Sequence, residues 1–91
     1  MKDGLSSIDG NVVRIGHKEH GAYMFACTMS LNERGKVTLV SRGKYNCKSI
    51  DILENLKRQS PNPLKVGFAT TTEFDGKRRV STLKIDIRRT E

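Results

Sequence analysis

The sequence predicts an α+β two-layer sandwich within the broad α/β class: β-α-β-α-β-β, a mixed four-stranded sheet with two helices on one face and a long β3-β4 hairpin arm. Three observations carry that reading. Short β-rich runs at Asn11-Val12-Val13-Arg14-Ile15 and Lys36-Val37-Thr38-Leu39-Val40-Ser41 alternate with stretches whose apolar residues recur at helical spacing. Right-handed crossovers between such strands put both helices on the same side of the sheet. From Leu64 onward, two strand-like runs meet at Asp75-Gly76, the strongest short-range signal for a tight hairpin, where Gly76 supplies a positive φ.

Met1 to Asp9 is polar, and residues 1–10 are expected to form a flexible tail ahead of one domain over residues 11–91. The first strand is a nearly continuous apolar run, the pattern of a strand covered by helices. Gly16 ends it, and His17-Lys18-Glu19-His20-Gly21 is a polar loop leading into a helix. Tyr23, Ala26, Cys27, Ser30 and Leu31 form one apolar face there, with Phe25 and Met29 expected to widen it. Gly35 suits the position just past the helix end, and Arg34 suits the negative end of its dipole. The second strand follows, rich in β-branched residues. After Arg42-Gly43-Lys44 a second helix is expected from about Tyr45 to Arg58. Its buried stripe is Tyr45, Ser49, Ile50, Ile52, Leu53 and Leu56, with Lys44, Lys48, Asp51 and Asn55 on the other side. Ser60-Pro61-Asn62-Pro63 stops the helix, because neither proline continues it. In the last strand Leu83, Ile85 and Ile87 alternate with Lys84, Asp86 and Arg88. Arg14, Lys65, Lys84, Asp86 and Arg88 are left for the sheet face away from the helices.

A chain of 91 residues makes one small domain, and dimerisation would help such a domain bury enough surface. Lys plus Arg number 17 against 10 Asp plus Glu, a net +7 that suits a phosphate-bearing partner. No apolar run approaches a membrane span, and Met1 to Ser7 lacks the core of a signal peptide, so a cytoplasmic protein with no membrane partner is expected. Cys27 and Cys47 lack the spacing of a metal site and are expected as buried or partly buried small side chains. His17, His20, Cys27, Cys47, Asp51 and Asp75 are the candidate catalytic groups, and no two are spaced as a nucleophile and its base. No enzyme activity, metal, cofactor or small-molecule substrate is expected.

The cations cluster at three chain positions that this topology can bring to one rim. Lys18, with His17 beside it, follows the first strand; Arg42 and Lys44 follow the second, with Lys48 one helical turn on; Lys77, Arg78 and Arg79 crown the hairpin. Loops at the carboxyl ends of parallel strands also present helix N-termini, whose free N–H groups and partial positive charge suit phosphate. Three adjacent cations at a tip repel one another, so folding does not call for them. Few aromatics (Tyr23, Tyr45, Phe25, Phe68, Phe74) and no Trp argue against a base-stacking platform. Backbone-directed duplex binding fits better.

At these residues the sequence resembles the Alba family of small basic chromatin proteins. The resemblance lies in Asn11 to Lys18 with Tyr23, in Val37 to Lys44, in Ile50-Asp51-Ile52-Leu53-Glu54 and in Gly76 to Ile85. It implies a two-fold homodimer, with a heterodimer with a paralogue as the alternative. The dimer body would lie on double-stranded DNA and its paired hairpin arms would reach toward the minor groove. It also implies DNA coating or condensation with little sequence preference, a chromosome- or nucleoid-associated location, and RNA as an alternative ligand. Lys18, Arg42 and Lys44 would contact phosphates, and Lys77, Arg78 and Arg79 would act on the arms. Three positions depart from the family pattern. His17 and Glu19 stand in the loop where the family reads Lys and Pro, so the lysine that the family acetylates is missing. Ser60 replaces a Phe used in dimer–dimer contacts. Tyr45-Asn46 replaces Ala-Ile, with Tyr45 expected in the core or at an interface.

Overall fold

Alternating side chains on two long strands decide which way the sheet faces. The computed structural model describes residues 11–90; the expected tail over residues 1–10 and Glu91 lie outside the described residues. Strand β1 (Val12–Arg14) leads to helix α1 (His20–Arg34), strand β2 (Lys36–Arg42), a 3-10 turn (Gly43–Tyr45), helix α2 (Asn46–Gln59), strand β3 (Leu64–Asp75) and strand β4 (Arg78–Arg89). The spatial order is β1-β2-β4-β3, with β1 and β2 parallel and the remaining pairs antiparallel. The expected architecture is the one observed.

Register explains the core. Val37 pairs with Ile87, Leu39 with Ile85 and Ser41 with Leu83, so these side chains share one pleat face, which Val13 joins opposite Leu39. That face meets Tyr23, Cys27 and Leu31 of α1 and Ile52, Leu53 and Leu56 of α2. Each large aliphatic chain buried here contributes about 1.5–3 kcal/mol. Helix α1 stops where Gly35 takes a φ of +76° and its N–H reaches the Leu31 carbonyl at 2.9 Å. A residue with a Cβ is strained in that left-handed conformation.

The helices bury narrower stripes than their composition suggested. Phe25 is 69% exposed and Met29 40%. Each lies two residues from a buried position, about 200° round the helix, and so points outward rather than widening the core face. Ile50 is also exposed, at the margin of the α2 stripe, and Cys47 is exposed because it sits at the open start of α2. Lys48 and Asn55 are not on a solvent face, since both reach toward the β1–α1 loop and the start of α1. Tyr45 is half-buried against the core. In the hairpin Asp75 pairs with Arg78, so the two connecting residues are Gly76 and Lys77, with Gly76 at φ +68°. Arg78 and Arg79 therefore belong to β4 and project to opposite sides of the arm.

Candidate nucleic-acid interface

Strands β1 and β2 run parallel, so the loops that follow them open at the same end of the sheet. Strand β4 is antiparallel to β2, and its pairing with β2 ends at Arg42 and Thr82. Beyond that row the hairpin continues alone through Thr72–Ser81, Glu73–Val80, Phe74–Arg79 and Asp75–Arg78. At roughly 3.3 Å per residue the arm projects about 13 Å past the body. It leaves from the end where Lys18, Arg42 and Lys44 are displayed.

The β1–α1 loop is held by side chains from both helices. The Tyr23 hydroxyl oxygen accepts the Gly16 N–H at 2.8 Å and the Lys18 N–H at 3.0 Å. The Lys48 ammonium donates to the Gly16 carbonyl at 2.7 Å and to the Lys18 carbonyl at 2.5 Å. It also lies 5.1 Å from the centre of the Tyr23 ring. Two of its three N–H groups thus hold the loop. The side chains of His17 and Lys18 are exposed on the loop so held. Behind it the His20 ring meets the Asn55 side chain at 2.7 Å, joining the start of α1 to α2.

The second basic group is shaped by Gly43. Its φ of +58° turns the chain from β2 into the 3-10 turn, and an added Cβ would also meet Val80 at 3.5 Å. Arg42 points to the side of the sheet away from the helices, where it pairs with Glu73 of the arm at 3.4 Å. Lys44 is exposed, its ammonium 5.4 Å from the Tyr45 ring centre. Asn46 fixes the root of the arm. It accepts the Ser41 hydroxyl at 2.8 Å and donates to the Ser81 carbonyl at 3.2 Å, so β2, β4 and the start of α2 are joined through one amide.

Both helices begin at this rim without a side-chain cap and without an acidic residue in the first turn. The Ala22 N–H turns back to the Glu19 carbonyl and the Asn46 N–H to the Gly43 carbonyl, while the positive ends of both dipoles add to the lysines and arginines. The sequence-derived residues therefore form a connected series. His17 and Lys18 sit on the loop that Lys48 holds, Arg42 and Lys44 lie just before Lys48, and Glu73 links Arg42 to the arm that carries Lys77, Arg78 and Arg79. Tyr23, Asn46 and Glu73 were not among the residues singled out for the site. A tyrosine beside a glycine-rich polar loop and an asparagine at a helix start carry only faint signals of such roles.

Of the candidate catalytic groups, the Cys27 thiol is buried, and burial pushes its pKa from 9.0 up to about 12. Among the described residues no cluster of His, Cys, Asp and Glu could hold a metal ion.

A model of the Alba family matches residues 11–73. No individually curated protein matches significantly. Among solved structures, ALBA1 from Trypanosoma brucei superposes with a TM-score of 0.75 at 20% identity, covering 88% of this chain and 69% of that one. Alba from Thermoplasma volcanium superposes with a TM-score of 0.68 at 27% identity, covering 87% of this chain and 100% of that one. The family match includes the held loop, the Arg42-Gly43-Lys44 junction and the arm as far as Glu73, and on it the chain belongs to the Alba family of nucleic-acid-binding proteins.

Proposed function

We propose that this protein binds double-stranded DNA as a homodimer, with little sequence preference, and coats or compacts it in association with the chromosome. The observation that carries the reading is the rim: two cationic loops, two uncapped helix starts and the root of a basic arm, all at one end of the sheet. Lys18, Arg42 and Lys44, with Lys48, would receive phosphates on the body. His17 would add charge as the pH falls. Lys77, Arg78 and Arg79 would follow the arm into the minor groove, where negative potential favours arginine without reading bases.

Dimerisation is supported by Phe68 and Phe74, 61% and 71% exposed on the same pleat side of the hairpin as the helices. A second copy packed there would cover both.

Contacts to about 6–10 phosphates would give a log K that falls with log salt at a slope of about −5 to −9. In the test, affinity for two unrelated duplex sequences is measured across a salt gradient, with the Arg78→Ala/Arg79→Ala chain beside the wild type. Equal binding to both sequences is expected, and the double variant should bind both more weakly with a slope shallower by about two. A salt-independent affinity, or a strong preference for one sequence, would defeat the proposal. Tighter binding to a matched RNA duplex in the same assay would transfer the rim to RNA.

A further inference from the structure

The sheet face turned away from the helices is a second cationic surface. Lys36, Arg88 and Lys65 stand directly opposite one another on three neighbouring strands. All are exposed, and among the described residues none is paired with a carboxylate. Like charges in opposed cross-strand positions weaken a sheet, so folding gives no reason for this row. Nearer the rim Lys84 lies on the same face, with Arg14 two strands away across Val40. Arg42 follows one row on. The carboxylate between the rows, Asp86, accepts the Thr38 hydroxyl at 2.7 Å. On the edge strand Gly67 has no side chain, and those of Ala69 and Thr71 are small, which keeps the floor low here. Phe68 and Phe74 lie on the opposite side, so a second copy covering them would leave this face open and without aromatics.

Six residues of β2 separate the Lys36 row from the Arg42 row, about 20 Å at the rise of a strand. Duplex DNA is stiff over about 150 base pairs, and turning it from the rim onto the sheet within so short a distance needs a sharp kink that costs deformation energy. A single strand makes the turn without that cost.

We propose that the open sheet face is a track for a single nucleic-acid strand leading away from a duplex held at the rim, with its phosphates received by Lys84, Lys65, Arg88 and Lys36. Only the duplex end of this proposal rests on the rim reading. Without an aromatic platform the track holds backbone rather than bases, and it is indifferent to sequence.

The test compares a blunt 16-base-pair duplex with the same duplex carrying a ten-nucleotide oligo-dT overhang, by fluorescence anisotropy over a salt gradient. Wild type and Lys65→Gln/Lys84→Gln/Arg88→Gln chains are compared, with thermal unfolding as the check on folding. The overhang should tighten wild-type binding by about five- to twentyfold and steepen the salt slope by about two. The triple variant should lose that gain while binding the blunt duplex within about twofold of wild type. Equal affinity for both duplexes, or a gain that survives in the triple variant, would overturn the proposal. So would a deca-glutamate peptide that binds as tightly as oligo-dT and is lost in the triple variant, which would assign the face to an acidic protein partner. If wild type fails to bind the blunt duplex yet holds free oligo-dT through these residues, the rim reading falls and the track stands.

Discussion

Glu73 places a carboxylate inside a cationic rim. It lies 3.4 Å from Arg42, and both side chains are more than half exposed, so the pair contributes at most about 1 kcal/mol to folding. Its larger consequence concerns the ligand, because a carboxylate at this distance competes with phosphate for the guanidinium. Glu73→Gln is expected to raise duplex affinity by roughly two- to fivefold at moderate salt with little change in melting temperature, a change within the range of such pairs. Anisotropy titrations check this, and weaker binding would mean that Glu73 orients Arg42 rather than masking it. The cysteines offer a second test at this scale. Burial keeps the Cys27 thiol protonated up to about pH 12, while Cys47 is exposed. Thiolate is the reactive form, so iodoacetamide at pH 8 should label Cys47 alone in the folded chain and both after denaturation, as read by mass spectrometry. The raised Cys27 pKa also fixes a sign. Its contribution to stability is whole below about pH 9 and is lost as the pH rises from there through about 12.

At the scale of elements, the held loop is the most distinctive feature. Tyr23→Phe would leave the Gly16 and Lys18 amides without their acceptor, costing about 1–3 kcal/mol if water does not replace it. Hydrogen exchange at those two amides should quicken by at least tenfold while the Ile85 amide in the sheet stays protected. Duplex affinity should fall although no cation has been removed. Unchanged exchange would show that Lys48 alone holds the loop. The elements differ in how much of them the sequence announces. The hairpin, both helices and the Gly35 stop are written in local chemistry: Asp75-Gly76 between alternating runs, apolar residues at helical spacing, and a glycine where φ turns positive. The identity of each buried helix face is not local. Phe25 and Met29 look like core residues by composition, yet their angle round α1 turns them from the sheet. The loop-holding role of Lys48 depends on how α2 packs beside the β1–α1 loop, a relation that only the tertiary fold supplies.

For the whole molecule, the three basic groups were visible as clusters along the chain, and the strand–helix alternation was enough to expect them at one end. Less visible was what joins them. Asn46 joins β2 to Ser81 of β4, Lys48 reaches back to the first loop, and Glu73 ties the arm to Arg42, each through a contact between residues about 30 or more apart in sequence. These contacts orient cations whose presence alone would have marked only a basic protein. The most direct measurement is amide chemical-shift mapping of the full chain on titration with a short blunt duplex at low salt. The largest shifts are expected over Gly16 to Lys18, Arg42 to Lys48 and Gly76 to Arg79. Shifts centred instead on the outward face of α1 around Phe25 and Met29, or on the Ser60-Pro61-Asn62 loop, with the rim silent, would contradict it.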